Sequence, residues 1–351
     1  MTQTNPAPRS LCLIRLSALG DVCHTVSMVR ALQAAWPETA ITWVIGKKEA
    51  PLVAQLPNIR FITFDKSANL SSFRRIKKSL AHEHFDVLVL AQTSIRANLL
   101  SLAISAKRRV GFGGSHAREG HRLFVSETID LPEKIHQAEA LFAFAPYLLG
   151  DPSVDLYDID RGLPIPDEAK AFAITHQPEP KQAVVISPCS SHVLRNWSAA
   201  SYAALADWVV ETAKRPVILM GGPSETEKAM GDAIMAKMTH SAINLIGQDT
   251  LHQALAMLER AAVVITPDSG PAHMADGLGT PVVGLYAATR PASSGPWASI
   301  DYCVDGFDQA ALTFRGKPSE ALAWGARIET EGVMDLITPD QVIEKLQSLL
   351  A

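Results

Sequence analysis

The sequence is poor in cysteine, and its few cysteines share no short spacing. Cys12, Cys23, Cys189 and Cys303 lie in unrelated segments of the 351-residue chain. Structural zinc sites and disulfide frameworks bring cysteines together at recurring short spacings, so neither is predicted here. A reducing compartment fits this pattern.

Long hydrophobic runs are also absent. A membrane-spanning helix needs about 20 apolar residues. The nearest candidate, residues 138–149, is shorter, carries Glu139 and contains Pro146. Residues 1–10 are polar and have no apolar core of the signal-peptide type. We therefore expect a cytoplasmic protein.

The chain lacks the positive charge that nucleic-acid binding requires, because its formal net charge is -4. The two halves differ, however: residues 1–165 hold 19 Lys and Arg against 15 Asp and Glu, whereas the rest holds 13 against 21. This asymmetry favours an anionic partner for the N-terminal half, and a solvated face is the alternative. The basic clusters of that half are Arg74-Arg75 with Lys77-Lys78, Lys107-Arg108-Arg109, and Arg118 with Arg122.

The glycine motifs that bind dinucleotides or ATP are missing as well. The first loop, residues 16–25, has one glycine, Gly20, and matches neither G-x-G-x-x-G nor the Walker pattern. Gly20 would allow a tight turn and support the loop, and Asp21 would then lie near a helix N-terminus at the edge of a sheet. Two roles are open for Asp21, a helix cap and a catalytic base.

What the sequence does contain is a repeated alternation of short apolar strands, turns and amphipathic helices, which is typical of parallel sheets. In the first half the predicted strands are residues 11–16, 41–45, 60–64, 87–90 and 109–112, and the helices are 25–35, 71–82, 95–104 and 137–149. In the second half the strands are 183–187, 217–220, 242–245, 262–266 and 282–286, and the helices are 199–212, 225–238, 251–259 and 271–278.

This repetition predicts an α/β protein with two doubly wound, Rossmann-like domains facing a central cleft. The length of the chain agrees, since one hydrophobic core usually stops growing at about 250 to 300 residues. The predicted divisions are an N-terminal domain at 1–165, a linker at 166–182, a C-terminal domain at 183–330, and a final helix within 331–351 that could pack back on the N-terminal domain.

The clearest functional signal is the loop between a buried strand and a helix at Asp268-Ser269-Gly270-Pro271-Ala272-His273. The free amides and positive dipole end of a helix bind phosphate without a lysine, and His273, one turn into the helix, would add a donor. Capping accounts for Asp268 and Pro271, but it does not account for Gly270 and His273 together. A serine hydrolase is disfavoured, because G-x-S-x-G is absent and the acid directly precedes the serine.

A second loop of this half follows the strand at 183–187. Ser190, Ser191 and Arg195 are free to meet phosphate oxygens, and arginine can do so through two donors at once. Trp197 and Tyr202 are placed as a hydrophobic staple, which predicts a structural role for the tryptophan.

A third loop precedes the helix at 225–238. Ser224 and Glu227 fit a capping box, so Glu227 is predicted to be structural. Glu225 has no local role, and its carboxylate could accept hydrogen bonds from ribose hydroxyls.

These loops, in this order, resemble glycosyltransferase family 9, the bacterial lipopolysaccharide heptosyltransferases. The hallmarks of the family are R-x-x-x-x-G-D, K-x-W-P, G-G-P-x-E-x-E and D-[ST]-G-x-x-H. The corresponding segments here are Arg15 to Asp21, Arg195-Asn196-Trp197-Ser198, Gly221 to Glu227, and Asp268 to His273. The second departs from the pattern, with arginine in place of lysine and serine in place of proline.

The resemblance implies a GT-B enzyme that transfers heptose from ADP-L-glycero-β-D-manno-heptose to the Kdo or heptose region of the inner core on lipid A. Asp21 would be the general base of an inverting transfer, Arg195 would contact the diphosphate, and Glu225 would bind ribose. The rest of the donor site would comprise Asp268, Ser269, Gly270 and His273. The ending, residues 322–334, looks like a subgroup of the family, which leaves the exact donor and acceptor open.

No metal or other cofactor is expected, because the one D-x-D pair, Asp158-Ile159-Asp160, lies near the linker rather than in a loop of the site. The expected partners are a nucleotide sugar, the lipopolysaccharide acceptor and, peripherally, the cytoplasmic face of the inner membrane. Two alternatives remain: a transferase or epimerase acting on another nucleotide sugar, and a nucleotide-binding protein without catalysis.

Overall fold

The computed structural model of the protein describes residues 5–350, apart from the side chain of Asn69. Residues 1–4 of the polar N-terminal segment therefore lie outside the described range. The chain divides into two compact units, of which the first ends at Pro164 and the second begins at Ile165. Each unit contains one six-stranded sheet. No helix within residues 5–350 is long and apolar enough to cross a membrane.

The first unit alternates strands and helices. Its strands are β1 Ser10–Ile14, β2 Ala40–Gly46, β3 Ile59–Phe64, β4 His84–Leu90, β5 Ser105–Phe112 and β6 Glu127–Ile129. Its α-helices are α1 Leu19–Ala35, α2 Asn69–Ser79, α3 Ile95–Ser101, α4 Gln137–Phe142 and α5 Phe144–Leu149. Short 3₁₀ helices lie at Ala50–Leu52, Gly114–His116, His121–Phe124 and Leu156–Asp158.

The second unit repeats the same plan. Its strands are β7 Val184–Ile186, β8 Val217–Leu219, β9 Ile243–Asn244, β10 Val263–Pro267, β11 Val282–Tyr286 and β12 Val304–Asp305. Its α-helices are α6 Asp167–His176, α7 Ala199–Glu211, α8 Glu225–Lys237, α9 Leu251–Arg260, α10 Gly270–Gly277, α11 Pro291–Ser294, α12 Phe307–Arg315 and α13 Pro339–Leu350. Short 3₁₀ helices lie at Val193–Arg195, Trp297–Tyr302, Ser319–Ala321 and Val333–Leu336.

Both sheets are parallel and reverse their strand order at the centre. The orders are β3-β2-β1-β4-β5-β6 and β12-β11-β10-β7-β8-β9. The reversals fall between β1 and β4, where Ile14 lies opposite Leu90, and between β7 and β10, where Ile186 lies opposite Ile265. In a doubly wound sheet the loops that leave such a reversal diverge and leave room for a ligand. The loops after β1, β4, β7 and β10 are therefore the ones that matter for function.

Helices α2 and α3 cover the same face of the first sheet. Ile76 of α2 and Leu100 of α3 belong to one buried hydrophobic cluster with Ile14 of β1 and Leu88 of β4. Helix α1 packs instead with α4 and α5. Burying apolar area stabilises each layer by roughly 25 cal/mol per Å².

Residues 166–182, which the sequence analysis assigned to a linker, contain helix α6. The helix begins after Pro166, carries Asp167 and Glu168 in its first turn, and packs on α9 of the second unit. The Gln177 side-chain amide then donates to the Met257 carbonyl oxygen at 2.8 Å. The apolar face of α6 is narrow, and for this reason its period is weak in the sequence.

Helix α13, for which the sequence left packing on the N-terminal domain open, contacts α7, β11 and β12 of its own unit. Val342 and Leu346 are completely buried there. Strands β6 and β12 were not predicted, because three and two residues are too few to show an alternating pattern.

A buried histidine fastens the 3₁₀ helix His121–Phe124 to α3. The Phe112 N–H donates to His121 Nε2 at 3.0 Å, so the ring proton lies on Nδ1, which donates to Asn98 Oδ1 at 2.8 Å. Asn98 in turn donates to the Glu119 carbonyl oxygen at 3.1 Å. Burial lowers the pKa of His121 to about 4.

We predict that His121 makes the stability of the fold depend on pH. Between pH 6.5 and about 4 the unfolded histidine binds a proton that the folded one does not, so the free energy of unfolding falls as pH falls. The loss should be on the order of 3 kcal/mol across that range. Urea unfolding of wild type and His121→Gln at several pH values measures it. The exposed His82, changed to Gln, is the control, and a His121→Gln curve parallel to wild type would contradict the prediction.

Candidate functional site

The loop after β10 leaves the start of α10 without a side-chain cap. Ser269 occupies the N-cap position in an extended conformation, but its side chain makes no capping hydrogen bond. Its hydroxyl pairs instead with that of Thr266 at 2.8 Å. Pro271 lies in the first turn, as predicted. The positive end of the helix is therefore available to an anion.

Arg195 is held beside this loop by two carboxylates. It ends the 3₁₀ helix after β7, and its side chain is only 8% exposed. Nη1 donates to Asp268 Oδ2 at 2.9 Å, and Nε and Nη2 donate to Glu329 Oε1 at 2.9 and 2.7 Å. These three bonds leave the second N–H of each terminal nitrogen uncommitted. A fork of two such donors matches the spacing of phosphate oxygens.

Glu329 was not predicted as a site residue. Burial, the largest single influence, raises the pKa of Glu329, but the hydrogen bond and charge of Arg195 outweigh it and hold the pKa below its ordinary value of 4.5. His192 adds to this effect, since its Nδ1 lies 3.6 Å from Glu329 Oε1. The residue stands in an irregular segment without a strand or helix pattern, so nothing in the sequence indicated its role.

Ser190 connects the loop after β7 to the loop after β10. The Ser190 hydroxyl donates to the Asp268 carbonyl oxygen at 2.8 Å, and the Ser190 N–H donates to Asn196 Oδ1 at 2.7 Å. Ser191 is exposed at the tip of the loop. The structure thus brings Ser190, Arg195 and Asp268 together as one hydrogen-bonded group.

Gly270 and His273, the two other residues of α10 predicted to hold the donor, lie at different depths in the helix. Gly270 is the first residue of the helix. His273 lies one turn further on and is buried, with 7% of its surface exposed. Only a ligand group that enters the loop closely would reach it.

The predicted roles of the two glutamates that begin α8 are distinct in the structure. Glu227 accepts from the Gly222 N–H and the Ser224 hydroxyl at 2.8 and 2.6 Å, which confirms its structural role. Glu225 is almost fully exposed and pairs with Lys228 at 3.1 Å. The structure does not bring Glu225 into the group around Arg195.

The tryptophan of the second loop is structural, as predicted. Trp197 is buried, its Nε1–H donates to the Ile337 carbonyl oxygen at 2.8 Å, and its ring meets that of Tyr202 edge to face. Because Trp197 directly follows Asn196, this packing helps to hold the loop that carries Arg195.

In the first unit, Asp21 is part of helix α1 rather than of the loop before it. The helix begins at Leu19, so Gly20 lies in its first turn and does not form the tight turn we expected. Asp21 Oδ2 accepts the Ala18 N–H at 2.9 Å, which is a helix-capping contact. It also forms an ion pair with Arg15.

One further group holds the Asp21 carboxylate, and another holds its partner Arg15. The side-chain amide of Gln137, the first residue of α4, donates to Asp21 Oδ1. Arg15 Nη1 donates to the Ala91 carbonyl oxygen after β4 at 2.6 Å. The Asp21 side chain remains 13% exposed. It is therefore a rigid acceptor that still reaches solvent, and its capping contact is compatible with a second role as a base.

Several of the basic residues predicted to meet an anion are already paired. Lys107 contacts Asp86 at 2.7 Å, and Arg108 contacts Glu127 at 2.8 Å. Arg109 donates to backbone carbonyl oxygens, including that of Phe124 at 2.8 Å. The cluster at 107–109 is thus structural.

The second acid of the D-x-D pair is likewise engaged within its own unit. Asp160 pairs with Arg30 at 3.0 Å and accepts the Gly162 N–H at 2.8 Å. Among residues 5–350, no group of three or more His, Cys, Asp or Glu side chains is placed to hold a metal ion.

Comparisons with known proteins agree with this architecture. Residues 73–322 match the model of glycosyltransferase family 9 (heptosyltransferase). The lipopolysaccharide core heptosyltransferase OpsX of Haemophilus influenzae is 35% identical over 98% of this chain and 97% of its own length. Lipopolysaccharide heptosyltransferase 2 of Escherichia coli is 22% identical over 97% and 98%.

Two solved structures have the same fold. The family 9 glycosyltransferase of Veillonella parvula has a TM-score of 0.79 at 22% identity and covers 97% of each chain. The heptosyltransferase WaaC of Escherichia coli with ADP has a TM-score of 0.73 at 16% identity, covering 97% of this chain and 99% of that one.

Two doubly wound parallel units with these relatives define a glycosyltransferase of the GT-B fold. The protein belongs to glycosyltransferase family 9, the heptosyltransferase family.

We predict that Glu329→Gln lowers the free energy of unfolding by about 1 to 2 kcal/mol at neutral pH, because Arg195 loses a charged acceptor. A carboxyl group whose pKa is lowered by folding stabilises above its ordinary value of 4.5, and this contribution is lost as pH falls through the folded value. The gap between wild type and variant should therefore close below that pH. Chemical denaturation measures it, with the exposed Glu320→Gln as control. A gap that does not change with pH would refute the assigned contact.

Proposed function

We propose that this enzyme transfers heptose from ADP-L-glycero-β-D-manno-heptose to the Kdo or heptose region of the lipopolysaccharide inner core, with inversion at the anomeric carbon. The Haemophilus influenzae relative supports the acceptor, since its name places it in core synthesis. Structures of Escherichia coli WaaC with ADP and with ADP-2-deoxy-2-fluoro heptose support the donor.

The observation that carries this proposal is the buried Arg195 beside the uncapped start of α10. In the proposed complex the donor diphosphate accepts from the α10 amides and from the two uncommitted N–H groups of Arg195. Gly270 permits a close approach because it has no side chain. Ser191 and His273 supply further donors, and Ser190, whose hydroxyl donates to the Asp268 carbonyl oxygen, lines the site and fixes the two loops to each other. Glu225 then accepts from the ribose hydroxyls of the same nucleotide.

The proposed reaction is one displacement. An acceptor hydroxyl attacks the anomeric carbon as Asp21 takes its proton, and the bond from that carbon to the diphosphate oxygen breaks. ADP leaves with the electron pair. Negative charge grows on the diphosphate in the transition state, and donors fixed before the reaction stabilise it more there than in the ground state.

The contacts around Asp21 fix the orientation of its carboxylate, which favours its role as the base. Arg15 and Gln137 hold the carboxylate from two sides, so little reorganisation is needed when the acceptor arrives. In the proposed cycle the protein works at the cytoplasmic face of the inner membrane, where a lipid-linked acceptor is presented.

A panel of nucleotide sugars tests the donor. In a thermal-shift assay, ADP-heptose and ADP should raise the melting temperature, whereas uridine and guanosine diphosphate sugars at the same concentration should not. Ligand bound at 100 times its Kd stabilises by about 2.7 kcal/mol. Arg195→Gln should reduce the ADP-dependent shift, and Lys317→Gln, an exposed residue outside the loops, is the matched control. Preference for a uridine or guanosine donor would refute the ADP-heptose proposal.

We predict that Asp21→Asn lowers kcat about 10²- to 10⁴-fold with little change in donor affinity, because the amide cannot accept the proton. Transfer from ADP-heptose is followed by release of ADP, and donor affinity by calorimetry. A variant with unimpaired turnover would remove Asp21 as the base.

A capping control separates this outcome from a loss of stability. Thr338 and Gln341 form the same kind of capping box at the start of α13. Thr338→Ala should cost about 1 kcal/mol of stability and leave kcat unchanged. If Thr338→Ala reduced kcat as strongly as Asp21→Asn, the effect at Asp21 would be one of stability.

A further inference from the structure

Helix α3 and the 3₁₀ helix that packs on it carry a group of apolar side chains facing solvent. Ile95, Leu99 and Leu102 follow one another at helical spacing along α3 and its C-terminal end, and each is at least 48% exposed. Leu123, on the 3₁₀ helix His121–Phe124, is 86% exposed. Contiguous exposed apolar residues of this kind mark an interaction surface.

This group lies on the outer side of α3. The inner side of the helix contributes Ala97 and Leu100 to the core, and both are completely buried. Leu123 is held in place because its neighbour His121 is anchored to Asn98 beneath it. The exposed leucine is therefore presented by a fixed backbone.

The apolar side chains are surrounded by positive charge. Arg96, Arg118 and Arg122 are exposed, and none of these side chains has an ion pair or hydrogen bond with another described residue. The nearby acid Glu119 is engaged, since its carboxylate accepts the Ile95 N–H.

Helix α2, on the same face of the sheet, adds to this charge. It presents the exposed Arg74, Lys77 and Lys78 together with the apolar Leu70. These residues also form no ion pair within the described part of the chain. The face therefore combines apolar side chains with unpaired cations, which matches the interface of an anionic bilayer.

We propose that α3 and the 3₁₀ helix His121–Phe124, with the basic side of α2, form a face that docks on a membrane of anionic phospholipid. Ile95, Leu99, Leu102 and Leu123 enter the interface, and the arginines contact lipid phosphates. A second copy of the chain fits less well, because a two-fold contact would set the arginines of one copy against those of the other. The inference rests on the proposed function in that a lipid-linked acceptor gives the enzyme a reason to bind a bilayer.

Vesicle binding of the full-length enzyme, without donor or acceptor, tests the proposal. Sedimentation with vesicles of phosphatidylcholine is compared with vesicles that also contain phosphatidylglycerol, at low and at high salt. We expect at least ten-fold stronger binding to the anionic vesicles at low salt and its loss at high salt. Equal binding to both kinds of vesicle, or none, would overturn the proposal.

Two double variants locate the surface. Leu99→Ser with Leu123→Ser should weaken binding at least ten-fold, and Arg96→Gln with Arg122→Gln should weaken it about five-fold per charge removed. The matched controls are Leu312→Ser and Lys317→Gln. Leu312 is an exposed leucine too, at 59%, but it lies on α12. Circular dichroism checks that each variant is folded. Binding unchanged in both double variants, or a change in self-association in place of vesicle binding, would overturn the assignment.

An activity assay separates this proposal from the proposed function. With a deacylated, water-soluble acceptor, both double variants should retain the wild-type kcat/KM, and with acceptor embedded in anionic vesicles they should lose activity in parallel with binding. Loss of activity on the soluble acceptor would place these residues in the reaction itself and contradict a docking role. Absence of transfer by the wild type would refute the proposed function and leave the vesicle result standing.

Discussion

The parallel pairing at the centre of each sheet determines which loops meet in each candidate site. β1 pairs with β4 and β7 with β10, at the places where the strand order reverses. The carboxyl ends of paired parallel strands meet at one edge, so loops that are 76 residues apart, as at Arg15 and Ala91, touch. The same rule joins Arg195 to Asp268 in the second unit. Each candidate site thus follows from one pair of strands.

At both reversals the structure places a buried arginine against an acid. Arg15 joins Asp21, and Arg195 joins Asp268 and Glu329. A guanidinium can hold carboxylates with some of its N–H groups and direct the others outward, which an ammonium on a flexible stem does less well. This accounts for the tolerance of arginine at position 195, where the family pattern has lysine. It also means that the loops are positioned before any ligand binds, at the cost of burying charge that must stay paired.

Much of the fold was predictable, because burial imposes a period on the sequence. The predicted strands that became β1, β4, β10 and β11 were found at nearly their predicted positions, and so was the helix after Ser269 with Pro271 in its first turn, although the Ser269 side chain does not cap it. The capping box of Glu227 was predictable because its partners lie within a few residues of it.

The predicted start of α1 was wrong by six residues, because the residues from Leu19 to Thr25 are buried on several sides and show no clear helical stripe. Helix α6 was missed because it buries few residues.

The helices and strands, their alternation, and the short motifs whose partners are neighbours in the chain were all predictable from the amino-acid order. It also indicated Arg195, Asp268 and Asp21 as residues that could act on a nucleotide sugar. The three-dimensional fold was needed to show that Glu329 and Gln137 complete their surroundings, that Arg109 is structural, and that α3 presents its leucines to solvent. These contacts join residues that are far apart along the chain. Local hydrogen bonds and helical or strand periods leave a pattern in consecutive residues, whereas a contact across 134 residues, as between Arg195 and Glu329, leaves none.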